Sequence, residues 1–262
     1  RLFPCGGERL LADYIRSLSS SSLTERYAAI KAVSHFPDDT ATAALLIKMN
    51  DKDEDIFVKL DAAAGLMQRG NQQGKTFLAT CLQSEYLTHR LEAVIVLGER
   101  KTSESRDILL DVLADSDQHA EIRAGAAWAL GELGDKQAIN GLVSSFLSVD
   151  ESVKVEAARA LAKLALTFRQ EVLRKLPSLT PDARPGVAWA VGKAGGFTVK
   201  ELLGVAVDDD ARQWIAYMLG FQKPDVYLSQ VEELKIKDPE VYFATTLLWK
   251  ILSSWIANLD EY

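Results

Sequence analysis

The sequence predicts an all-α chain, a right-handed stack of about seven helix pairs, and three observations lead there. A helical segment recurs seven times at near-regular spacing. A period between about 20 and 50 residues is the mark of stacked supersecondary units. Alanine and leucine are abundant while aromatic residues make up only 8% of the chain, which favours helices over sheets. The seven prolines gather near apparent element boundaries. With 262 residues and 48% hydrophobic content, the chain is ample for a packed core.

The repeats read Arg26-YAAIKAV, Lys59-LDAAAGL, Arg90-LEAVIVLG, Arg123-AGAAWALGELGD, Lys154-VEAARALAKL, Arg184-PGVAWAVGKAG and Arg212-QWIAYMLG. The steps between their basic residues are 33, 31, 33, 31, 30 and 28. On a helical wheel, the third, fourth and seventh residues after the basic one fall on a single stripe, occupied in the fourth unit by Ala126, Ala127 and Leu130. Alanine there lets neighbouring helices approach closely, and leucine fills the remaining gap. A further apolar stretch precedes each repeat helix, as in Thr42-AALLIKM, Gly74-KTFLATCL, Arg106-DILLDVL and Ala138-INGLVSSFL. Turns rich in Asp and Ser follow, at Asn50-DKDED, Ala114-DSDQHAE and Ser148-VDES, and these residue types cap helix starts. Gly134 and the pair Gly195-Gly196 stand where a left-handed residue closes a helix. Pro185 falls in a first helical turn, where it is tolerated, whereas Pro177 interrupts the stretch Phe168-RQEVLRKLPSL.

The string Arg123-AGAAWALGELGD resembles the short HEAT-like repeat associated with phycobilisome lyases and with many adaptor proteins, and the resemblance extends over residues 24 to 222. It implies an α-solenoid whose second helices line the concave side. It also implies that an acidic turn residue bonds the basic residue opening the same helix: Asp117 or Glu121 with Arg123, and Asp208 to Asp210 with Arg212. The expected organisation is an N-terminal cap helix over residues 1–23, the repeats over 24–222, and C-terminal capping helices over 223–262, rich in Tyr242, Phe243, Trp249 and Trp255.

Signals for catalysis are weak. Gly70-NQQ-Gly74-Lys75-Thr76 has three residues between its glycines where a phosphate loop needs four, and it follows a helix instead of a strand. His35, His89 and His119 fall in different repeats without metal-ligand spacing. Asp208-Asp209-Asp210 and Glu232-Glu233 read as caps and solvated faces. Cys5 and Cys81 suit neither a disulfide framework nor a zinc site, so a reducing, cytoplasmic setting is expected. No apolar run reaches the length of a membrane span. The chain opens at Arg1 without a methionine, which suits a trimmed chain as well as a module of a longer one.

One constellation invites a function. The fifth residue after each basic one lies opposite the packed stripe and reads Lys31, Ala64, Ile95, Trp128, Arg159, Trp189 and Tyr217, with His35, Gln68, Glu99, Glu132, Lys163, Lys193 and Phe221 one turn on. Trp128, Arg159, Lys163, Trp189, Lys193 and Tyr217 are therefore the expected partner-binding residues, because Trp and Arg dominate binding hot spots. The first expectation is a non-catalytic scaffold or adaptor holding a protein partner along this face, with no cofactor, metal or membrane. A nucleic-acid contact through Arg159, Lys163, Trp189 and Lys193 is the alternative, although the net charge of -7 disfavours it. Assistance of the bilin-lyase kind follows only from the resemblance.

Overall fold

The structure is a computed structural model that describes residues 7–205, 207–219 and 229. Every element among the described residues is helical. The expected C-terminal capping helices lie outside the described residues. The chain divides into two compact units, 1–109 and 110–262, with the division inside one helix, α7 (Ser103–Ala114).

Unit 1 holds α1 (Gly7–Ser17), α2 (Leu23–Val33), α3 (Asp39–Asn50), α4 (Ile56–Gln68), α5 (Gln72–Leu82) and α6 (Leu87–Glu99). Each pair packs on the next, and α1 packs against α2 as the first helix of a pair. Local chemistry sets the starts: Ser22 accepts from the Glu25 amide, Asp38 from Thr40, Asp55 from Phe57 and Asn71 from Gln73 and Gly74, each relieving an orphan donor of a first turn. Helix α4 is the centre of the unit, buried from Leu60 through Met67. The two glycines of the near-miss phosphate motif have structural duties beside it. Gly70 adopts φ 75° just after α4 ends, and a Cβ on Gly74 would stand 2.5 Å from the Ala63 carbonyl oxygen.

Unit 2 continues with α8 (Ala120–Leu133), α9 (Ile139–Ser144) between two single 3-10 turns, α10 (Glu151–Ala165), the short α11 (Arg169–Leu173), α12 (Arg184–Ala194), α13 (Val199–Leu203) and α14 (Asp209–Leu219). Gly134 closes α8 in the left-handed region at φ 69°, as its position in the sequence predicts. Pro177 sits in a 3-10 turn that replaces the rest of α11, since proline removes a helical donor. The packed stripe is where the wheel places it at Ala126, Ala127, Leu130, Ala157 and Leu161, which have no exposed surface, but not at Ala158, which is half-buried. Helices α8 and α10 come so close that a Cβ on Gly131 would lie 2.8 Å from the Ala160 Cα.

Three of the repeat arginines, Arg26, Arg123 and Arg184, meet an acid of the following repeat. Arg123 does not pair with Asp117 or Glu121; its Nη1 lies 3.0 Å from the Asp150 carboxylate, in the turn of the following repeat. Arg26 likewise reaches Glu54 at 2.9 Å. Arg184 grips Asp208 with two parallel hydrogen bonds of 2.8 Å and reaches Asp210 at 2.7 Å; the side chain of Arg212, the partner expected for this turn, lies outside the described residues. The reason is reach: a side chain at the start of a second helix points along the stack toward the next turn. Asp150 holds the cap position of α10 yet makes no side-chain cap bond there, its carboxylate being turned to Arg123.

Leu130 and Leu161 fill the space between adjacent pairs. Replacing either with Ala should destabilise unit 2 by about 2–5 kcal/mol, measured by urea unfolding of the purified chain. A change within about 0.5 kcal/mol, the size of an ordinary surface effect, would show that the stripe is not the core.

Candidate functional site

The face opposite the packed stripe differs between the two units. In unit 1 it is closed. Ala64 and Asp61 of α4 have no exposed surface, because side chains from α2 and α6 meet above them. The Tyr27 hydroxyl donates to Glu92 at 3.2 Å, Lys31 pairs with Glu99 at 2.6 Å, and Arg100 donates to the Ser34 hydroxyl at 2.9 Å. Asp61 lies beneath, 3.2 Å from the Arg100 guanidinium and 3.7 Å from the Lys31 ammonium. Its pKa is pushed up to about 6 by burial, which outweighs the attraction of Lys31 and Arg100. The Tyr27 hydroxyl is raised in turn by burial and by Asp61 and Glu92. Glu54 moves the opposite way: burial raises it, but hydrogen bonds from Lys48 and Arg26 prevail and hold it below its ordinary value. Of the two cysteines, Cys81 is buried on α5 with its thiol pushed up to about 11, too high for a thiolate nucleophile at neutral pH.

In unit 2 the same face opens into a groove of about 700 Å³. Arg159, Trp189 and Tyr217, three of the residues expected from the wheel, line it together with Trp214 and Asp182. Trp128, Lys163 and Lys193 are exposed but are not part of its lining. Trp214 and Asp182 were not among the sequence candidates. Trp214 falls two residues after a repeat's basic residue, and Asp182 occupies a 3-10 turn, Pro181–Ala183, that repeat counting does not resolve. Two features build the groove. Trp214 and Tyr217, three apart on α14, meet edge to face with ring centres 5.7 Å apart. On α12, Gly186 stands against the buried Phe146 ring so closely that a Cβ would lie 2.5 Å away, so glycine brings α12 and Trp189 down onto the groove.

Three of the cations around this face have a carboxylate beside them. Arg159 pairs with Glu156 at 2.5 Å, Lys163 with Glu132, and Lys154 with Glu151 at 3.5 Å. Asp182, by contrast, has no ion-pair partner among the described residues. Of the four residues expected to serve a nucleic-acid contact, Arg159 and Trp189 line the groove, while Lys163 and Lys193 do not. The histidines serve local structure: His119 accepts from the Glu121 amide as the cap of α8, and His89 lies 3.3 Å from the Ser84 hydroxyl and against the Tyr86 ring. Partial desolvation, with Arg100 and Arg69 nearby, holds the His35 imidazole below its ordinary value. Among the described residues no three His, Cys, Asp or Glu side chains are placed to share a metal ion, and no helix is long and apolar enough to cross a membrane.

Known proteins give the site a context. The HEAT repeat family matches residues 78–162. Two curated relatives are deoxyhypusine hydroxylases. The one from Kluyveromyces lactis is 28% identical over 149 residues, which is 55% of this chain and 44% of that protein. The one from Candida albicans is 28% identical over 157 residues, 57% of this chain and 48% of that protein. The chain thus spans about half the length of the curated relatives it matches. Among solved structures, human deoxyhypusine hydroxylase is similar at TM-score 0.41 and 17% identity, covering 82% of this chain and 85% of that one. The complex of CpcE and CpcF of phycocyanin lyase from Nostoc sp. PCC7120 is similar at TM-score 0.40 and 20% identity, covering 97% and 98%.

These relatives correct the expectation of a non-catalytic scaffold, and with it the expectation that the chain has no part in enzyme chemistry: the curated proteins that resemble it in sequence are enzymes. A hydroxylase needs a group that activates oxygen, commonly a metal held by histidines and carboxylates. The described residues do not fit such a centre, since the three histidines stand in different helix pairs and two of them are engaged in capping or ring contacts.

Asp61 gives this chain a measurable pH signature. The folded state holds the Asp61 proton up to about pH 6, whereas an unfolded chain releases it near pH 4. Between those values the folded state carries more protons, so the stabilisation due to this group is greatest at low pH and declines as the pH rises through the window. Urea unfolding from pH 4 to 7 should show Asp61→Asn losing less stability over that range than the native chain, by on the order of 2 kcal/mol. Identical slopes for the two proteins would mean that Asp61 titrates as an exposed carboxylate.

Proposed function

We propose that this HEAT-repeat protein is part of an enzyme related to deoxyhypusine hydroxylase, and that the groove of unit 2 receives the protein segment to be modified. Convergence of Arg159, Trp189 and Tyr217 with Trp214 and Asp182 on one open groove carries this reading. A concave, largely apolar site with a few polar groups is the usual form of a binding site, and large aromatic and Arg side chains are the types that anchor a protein ligand. The family relationship supplies the reaction class, hydroxylation of a side chain. Within this reading unit 2 binds and orients: the rings exclude water from the bound segment while Asp182 and Arg159 fix its direction.

The test uses the protein at its natural full length. Incubated with a deoxyhypusine-bearing protein, oxygen, divalent iron and an excess of a two-electron reductant such as dithiothreitol, it should add one oxygen atom to that side chain while the other is reduced to water, read by mass spectrometry. Trp189→Ala should lower kcat/KM by about tenfold or more, equivalent to about 1.4 kcal/mol of lost transition-state binding, with the melting temperature nearly unchanged. No oxygen incorporation under these conditions, or full activity in Trp189→Ala, would overturn the reading.

A further inference from the structure

We propose that the groove of unit 2 is a two-part peptide site that selects a basic residue followed closely by an apolar one. This rests on the reading that the groove receives a protein segment, and it names the segment's chemistry.

The first part is a cation subsite. Trp189, Trp214 and Tyr217 line the groove with Asp182. Indole and phenol faces attract a cation through their quadrupoles, and indole does so best. The charges around the rings decide the sign of the occupant. Arg159 and Lys154 are each matched by a carboxylate, Glu156 and Glu151, while Asp182 is matched by none among the described residues. The groove therefore presents aromatic rings and one uncompensated negative charge, which complements an ammonium or guanidinium group and opposes an acidic one.

The second part is the exposed Leu147 side chain. It stands in a neighbouring depression of about 480 Å³ whose lining is mixed, with Pro181 and Pro185 on one hand and Ser148, Lys154 and Asp182 on the other. This depression shares Phe146, Lys154, Asp182 and Pro185 with the main groove, so the two hollows form one continuous track that meets at Asp182. Leu147 is 61% exposed and its near neighbour Val149 is 94% exposed, an unusual outlay of apolar surface beside a charged turn. A segment with its basic side chain against Trp189 and Trp214 would lay a following apolar side chain on Leu147.

The probes are fluorescein-labelled, N-acetylated hexapeptides: one with a single lysine and a leucine two residues later, one with that lysine acetylated, one with glutamate in its place, and one with the leucine replaced by serine. Binding to the full chain is read by fluorescence anisotropy. The lysine-leucine peptide should bind at least tenfold tighter than the acetylated and glutamate forms. Asp182→Asn, an exposed substitution that keeps the side-chain shape, should abolish that preference for charge. Leu147→Ser should abolish the preference for leucine over serine while leaving the preference for charge intact. Equal binding of the lysine and acetyl-lysine peptides, stronger binding of the glutamate peptide, or no measurable binding of the lysine-leucine peptide would each overturn the proposal. Oxygen incorporation separates this inference from the functional reading. Peptide selectivity without incorporation leaves the site standing and removes the enzyme assignment; incorporation with selectivity untouched by Asp182→Asn does the reverse.

Discussion

The forward-reaching ion pair between successive repeats organises what surrounds it. Arg26, Arg123 and Arg184 each open a second helix and each meet a carboxylate in the turn of the following repeat, at Glu54, Asp150 and Asp208 with Asp210. These guanidiniums are mostly buried, so the acids are required partners: removing one would leave a charge desolvated without compensation. A pair of this kind fixes the turn relative to the helix below it. Turn and helix together set where the next alanine stripe falls, and thereby which residues are left on the open face.

The repeat pattern was readable because it is local and redundant. A basic residue, an alanine pair and a leucine return at 28 to 33 residue steps, and the structure buries Ala126, Ala127 and Leu130 as the wheel requires. The direction of the ion pairs was not readable in the same way. Asp117, Glu121 and Asp150 are equally plausible partners of Arg123 along the chain, and only stacking decides that Asp150 is within reach.

The groove was half legible for a similar reason. Arg159, Trp189 and Tyr217 share a wheel position, but Asp182 and Trp214 come from a proline-bounded turn and a different helix phase, and a repeat count has no means of joining them. The wheel also treated both units alike. In unit 1 the equivalent row is roofed by the contacts of Tyr27 with Glu92 and of Lys31 with Glu99, and Ala64 is hidden under them. Long charged side chains that meet their opposites across the face close it in unit 1, whereas the aromatic side chains of unit 2 stand around an open groove. That contrast depends on which charges face each other across a gap of two repeats, a non-local property. The likeness to the curated hydroxylases was illegible for a further reason: the repeats dominate the pattern, and the described residues contain no cluster of metal-binding side chains.

Because Arg26, Arg123 and Arg184 are each answered by the repeat that follows, a chain emerging from the ribosome does not complete these three contacts within one repeat. Arg26 waits 28 residues for Glu54, Arg123 waits 27 for Asp150, and Arg184 waits 24 for Asp208. Domains form from the N-terminus during synthesis. In a stacked protein built this way, the newest repeat is always the one whose buried cation is still unanswered, and locking trails translation by one full unit. A synonymous slow stretch placed one repeat downstream would therefore help folding more than one placed at the repeat itself.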